Sequence, residues 1–238
     1  MNQINSKPSL RFSPTAWAKL LFMRDITDNE VGGFGITEAD DLLLVTDFIL
    51  VKQQVSAVTV SFEDESVADF FDHQVDLGRK PEQFSRIWLH THPFDSPEPS
   101  TVDDETFSRV FGKCDWSVMC VVAQNSCTYT KLRFNTGPGS EMKIPVCVDY
   151  SIEFGESDFE LWEQQYITNV SEDHIYSMSI DSKKHEDDSD IFGSKSELSC
   201  YDLLDKIDEL DAEERYLFLG ELSVRSDFWN EESEAYYE

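Results

Sequence analysis

The sequence predicts an α/β fold, a β-sheet covered by helices. Two observations carry this: runs rich in β-branched and aromatic residues, and amphipathic stretches opened by capping residues that fall among them. Ser13-Pro14 is an N-cap and first helical residue, opening an amphipathic helix through about Asp25. Residues 41–51 and 55–62 read as strands. Residues 63–75 read as a helix with Val67, Phe70, Phe71 and Val75 on its apolar side. Ile87-Trp88-Leu89 reads as a buried strand emerging into a loop, and Ser96, Pro97 and Pro99 force a turn. Ser100 is then placed to cap a helix starting at Thr101. Residues 117–123, 128–134 and 142–148 complete the strands, giving enough material for a sizeable core.

The character of the chain changes near Tyr150, beyond which acids heavily outnumber bases. Residues 160–170, with Leu161, Trp162, Tyr166 and Val170, are expected to form a helix packing its aromatics on the core. A polar, flexible linker is expected over about 181–195, then helical periodicity over 198–222 and a frayed tail from Asn230. The organisation expected is one domain over 8–150 with an acidic, partly helical extension over 151–238.

Charge and composition exclude several function classes. The 238 residues carry 48 acids against 19 Lys and Arg, a net charge of -29, which would repel nucleic-acid phosphates. Such a surface favours a basic partner face, and strong solvation explains it equally well. No apolar run approaches membrane-spanning length, Asp47 interrupting the best one, and no N-terminal apolar leader is seen; the expectation is a soluble, cytoplasmic protein. The five cysteines are odd in number and lack a C-x-x-C pair, which argues against a disulfide framework. Cys120 and Cys147 fall in expected strands and read as buried thiols. No cysteine lies beside the histidines as a nucleophile.

The chemistry concentrates at His90-Thr91-His92-Pro93, with Ser100 and Asp103 following. Side chains at i and i+2 of a strand share a face, so His90 and His92 converge at the strand's end. Ser100 and Asp103, three apart, share one face of a first helical turn. Two imidazoles and one carboxylate match the three protein ligands of a catalytic zinc whose fourth position is left open. The same set suits other metals, and a non-haem iron facial triad is the outside alternative, although its usual spacing differs from this one. Asp103 is also an acid favoured by the helix dipole, and both roles can hold at once. His174 and His185 stand isolated among acids and read as solvated. Glu98, in the loop before the helix, reads as a solvated acid more readily than as a further ligand.

The arrangement His90-x-His92-x7-Ser100-x2-Asp103 resembles the signature of the JAMM (MPN+) zinc metalloproteases, the family of prokaryotic JAB-type deubiquitinase-like enzymes. That family also carries an upstream glutamate at the end of an early strand, and Glu30 in Glu30-Val31-Gly32-Gly33-Phe34-Gly35-Ile36 fits it. The resemblance covers roughly residues 8–150. It implies an MPN (cytidine-deaminase-like) domain, a mixed sheet covered by helices. It further implies one Zn2+ held by His90, His92 and Asp103, with Glu30 as general base and Ser100 as hydrogen-bond donor to the oxyanion. Implied substrates are conjugates or precursors in which the C-terminal tail of a ubiquitin-like protein joins an amine. The associated conjugation enzymes are possible further partners by the same resemblance.

Gly32-Gly33 beside Glu30 has two readings. The pair permits close backbone approach or a positive φ, or it marks a bulge or turn between strands. Two function classes also stand. One is an active zinc isopeptidase or peptidase, acting on lysine-linked conjugates or on a linear precursor. The other is a catalytically weak binding module that recognises a ubiquitin-like protein or its conjugation machinery.

Overall fold

The computed structural model describes residues 7–172. Along the chain the elements are β1 (Leu10–Phe12), α1 (Pro14–Asp25), β2 (Gly32–Thr37), β3 (Leu44–Ile49), β4 (Gln53–Ser56) and β5 (Thr59–Phe62). There follow α2 (Asp64–Asp76), α3 (Pro81–Phe84), β6 (Ile87–Thr91), α4 (Thr101–Phe111), β7 (Trp116–Val122) and β8 (Thr128–Phe134). The last are β9 (Ser140–Lys143), β10 (Val146–Val148), α5 (Phe159–Asn169) and β11 (Val170–Glu172). The fold is thus mixed α/β, as the sequence predicts. The expected linker over 181–195, the helical stretch over 198–222, His174, His185, Cys200 and the tail lie outside the described residues.

An eight-stranded sheet runs in the order β10-β1-β3-β2-β6-β7-β8-β9, and a three-stranded sheet in the order β11-β4-β5. The larger sheet is mixed: β6 pairs β7 in parallel and β2 antiparallel. Alternation along β6 divides the core. Ile87 and Leu89 join Leu20, Met23, Val118 and Cys120 in one cluster, on the α1 side. Trp88 joins Phe34, Phe70, Phe107, Met119 and Val121 in the other, with α2 and α4. His90 follows Trp88 by two residues and stacks on it, ring centroids 4.5 Å apart. The alternation therefore delivers the histidines to the α4 side.

Ser13 caps α1 as expected, its hydroxyl accepting from the Ala16 N–H at 3.2 Å. Trp162 of α5 is buried against Phe22, ring centroids 5.7 Å apart, in the cluster that holds Leu20 and Met23. β11 then pairs in parallel with β4. Among the described residues no helix is long and apolar enough to cross a membrane.

Several expectations change in detail. The stretch 55–62 is not one strand but is split by the turn of the β4–β5 hairpin, where the Ser56 hydroxyl accepts from the Val58 N–H. The stretch 142–148 is broken at Ile144-Pro145 into β9 and β10, which lie at opposite edges of the large sheet. On α2 the buried side runs through Phe70 and Gln74, while Val75 is 55% exposed, because one more residue rotates past the apolar stripe. Cys120 is buried, but Cys147 is exposed, since β10 is an edge strand.

Candidate metal centre

Three elements meet at the centre. β6 supplies His90, and His92 follows directly, anchored by its N–H to the Val122 carbonyl at 2.9 Å. α4 supplies Asp103, which shares a buried face with Phe107 and Phe111 at a spacing of four residues. Those two aromatics pack in the core beneath and fix how far the aspartate reaches. The segment before β2 supplies Glu30, 6% exposed.

The distances are those of a ligand set. His90 Nε2 lies 3.4 Å from Asp103 Oδ1, and His92 Nε2 lies 3.6 Å from Asp103 Oδ2. One donor atom from each residue falls within 4.8 Å of the others, and all three residues are buried. Ligands at about 2.0–2.1 Å around a tetrahedral ion stand roughly 3.3 Å apart, close to the separations here. His90 Nε2 and His92 Nε2 are buried without a hydrogen-bond partner among the described residues. Two buried imidazole nitrogens left this way are costly unless something fills the point they share. The residues therefore fit a bound metal ion. His92 Nδ1 meets the Ser96 carbonyl at 3.0 Å, which makes Nδ1 the protonated nitrogen and leaves Nε2 free to ligate.

The electrostatics point the same way. Burial lowers the affinity of His90 for a proton, against the opposing pull of Asp103. Burial would do the same to His92, but the Asp103 and Glu30 carboxylates and the Ser96 carbonyl outweigh it and raise its pKa to about 9. Burial would raise Asp103, yet the two histidines hold its carboxyl well below the usual range. With Glu30 Oε1 a further 3.6 Å from His92 Nε2, the pocket holds two buried carboxylates that call for a cation.

Of the five residues singled out in the sequence, the structure brings Glu30, His90, His92 and Asp103 together; Ser100 stands directly before α4. Glu98 instead lies 3.3 Å from Lys143 Nζ, with more than half of its side chain in solvent. Cys120 is pushed up by burial to about 12, which suits an inert thiol. The Gly32-Gly33 question resolves as close approach within a strand. A Cβ on Gly33 would stand 2.3 Å from the Ile49 carbonyl oxygen, and neither glycine has a positive φ.

Sequence reasoning missed three supports. The Ser96 carbonyl is a main-chain group with no residue signature. Thr91 lies between the two histidines, fully buried, and its hydroxyl accepts from the Val31 N–H at 3.0 Å. Gln53 binds Gly32 from another strand, and only its unusual burial, visible in the fold, marks it. No protein-family model matches the chain, and no curated protein matches it.

Proposed function

We propose that this chain is a JAMM-type (MPN+) zinc peptidase with an MPN (cytidine-deaminase-like) domain. Its reaction cleaves the bond that follows the C-terminal tail of a ubiquitin-like protein, either an isopeptide bond or that of a linear precursor. The observation that carries the metal-dependent part is the buried His90, His92 and Asp103 set with two orphaned Nε2 atoms and Glu30 alongside. The substrate class rests on the resemblance of the His90, His92, Ser100, Asp103 and Glu30 pattern.

His90, His92 and Asp103 would hold the ion. When bound, zinc supplies Lewis acidity, polarising water and the scissile carbonyl. Glu30 takes a proton from the attacking water and delivers it to the leaving amine, so its carboxylate must start ionised. Ser100 donates its hydroxyl proton in a hydrogen bond to the oxyanion that develops at the carbonyl. The Ser96 carbonyl holds His92 in the ligating tautomer throughout. Trp88 stacked on His90 and the aromatic core behind it keep water off the back of the site.

The test is cleavage of a ubiquitin-like fusion, and of a lysine-linked conjugate, by the zinc-loaded chain and by Glu30→Gln. The reading expects cleavage that a chelator stops and that Glu30→Gln reduces by about 10²-fold or more with zinc retained. Cleavage persisting in Glu30→Gln would sink the mechanism. Metal bound without cleavage of either substrate would turn the assignment to a binding module.

A further inference from the structure

The residues that follow Glu30 are held by side chains where strand pairing runs out. The β2–β3 ladder begins only at Phe34 opposite Ile49, so Gly32 has no strand partner on that flank. Gln53 takes the vacant place. Its Oε1 accepts the Gly32 N–H at 2.9 Å, and its Nε2 donates to the Gly32 carbonyl at 2.8 Å and the Val51 carbonyl at 2.9 Å. A primary carboxamide presents the same donor and acceptor as a peptide group, so Gln53 serves as one residue of a missing strand.

Three other hydrogen bonds complete the hold. On the β6 flank, the Val31 N–H donates to Thr91 Oγ1 at 3.0 Å and the Thr91 N–H to the Val31 carbonyl at 2.9 Å. The Glu30 N–H donates to the Ser56 carbonyl, at the far end of β4, at 2.9 Å. Gln53 itself is 3% exposed and pairs with Phe62 of β5 and Val170 of β11. The large sheet and α4 thus present His90, His92 and Asp103, and the small sheet grips the backbone that carries Glu30.

We propose that Gln53 is a positioning residue that fixes the Glu30 carboxylate beside His92 Nε2. This rests on the reading of Glu30 as the general base. β11, from the part of the chain expected to be an extension, supports the base through its pairing with Gln53. A Gln53 that merely stabilised the fold would affect melting and leave the environment of the metal unchanged.

The experiment uses the full chain loaded with cobalt(II), whose visible d–d bands report the ligand field and the groups around it, and the zinc-loaded chain for turnover. Gln53→Met keeps the bulk and removes all three hydrogen bonds. The expected result is a d–d band displaced in the same sense as in Glu30→Gln, with metal content unchanged. In the Glu30→Gln background, Gln53→Met should displace the band no further, because the group it positions is gone. Turnover of a fusion that the wild type cleaves should fall roughly 10- to 100-fold in kcat with KM within about twofold. Gln53→Asn, which keeps the carboxamide one methylene shorter, should fall between the two and serves as the readout if Gln53→Met does not fold. A wild-type band in both variants, or an equal displacement in the Glu30→Gln background, overturns the role of Gln53. If the wild type cleaves no fusion, the peptidase reading fails and the cobalt comparison still decides the positioning role. A wild-type chain that takes up no metal overturns both.

Discussion

The two histidines of the centre are held by different means, and their chemistry differs accordingly. His90 is fully buried on Trp88, whereas His92 is tied through Nδ1 to the Ser96 carbonyl and faces both Asp103 and Glu30. Asp103→Ala removes the carboxylate that α4 adds to the candidate set, and on the proposed reading we expect loss of at least 10²-fold in zinc affinity, measured by competition with a chromophoric chelator. Retention of wild-type affinity would exclude Asp103 as a ligand. The metal-free protein should also have a distinctive pH profile. His92 is raised from 6.5 to about 9, so its stabilisation is present below 6.5 and lost as pH rises towards 9. His90 is lowered from 6.5, so it opposes folding as pH falls below that value. Thermal stability of the metal-free chain should therefore decline from pH 6.5 to 9, and zinc should remove most of that decline because ligation keeps His92 unprotonated. A profile that rises over this window would contradict the assignment of His92. At this scale the H-x-H spacing and the first-turn aspartate were legible, because strand and helix periodicities alone place them. Glu30 was legible only through resemblance, and the Ser96 carbonyl not at all, since a backbone acceptor leaves no trace in residue identity.

At the scale of elements, the strands are joined more tightly than their sequences announce. Gly33→Ala would set a methyl 2.3 Å from the Ile49 carbonyl oxygen and 2.7 Å from the Phe48 ring. The backbone of β3 cannot yield as a side-chain tip does, so we expect a cost of about 1–3 kcal/mol in denaturant unfolding. A neutral result would mean that β2 and β3 slide apart freely. Trp162→Ala should cost about 3–5 kcal/mol, because it empties a buried site against Phe22; a surface-like change below about 0.5 kcal/mol would show that α5 contributes little to the core. Most helices and strands were legible from caps and apolar patterning, α1 and α4 especially. The hairpin at Ala57-Val58 was not, since it has no glycine, asparagine or proline and relies on the Ser56 hydroxyl. The separation of β9 from β10 follows from Pro145, which has no N–H to give, and from β10 joining β1 across the sheet, a non-local choice.

For the molecule as a whole, a net charge of -29 means that self-repulsion opposes the compact state. Raising NaCl from about 10 to 150 mM should screen it and raise the melting temperature. A fall would show that attractive pairs such as Lys19–Asp47, 2.8 Å apart, dominate instead. Sheet order was the least legible feature, because it depends on which distant strands meet, and no periodicity encodes that. It has one more consequence. Among the described residues the four outer strands, β10, β9, β5 and β11, have three or four residues each. An incoming peptide that joined any of them would find a ladder of only a few hydrogen bonds. Such short rims make poor templates for fibril growth.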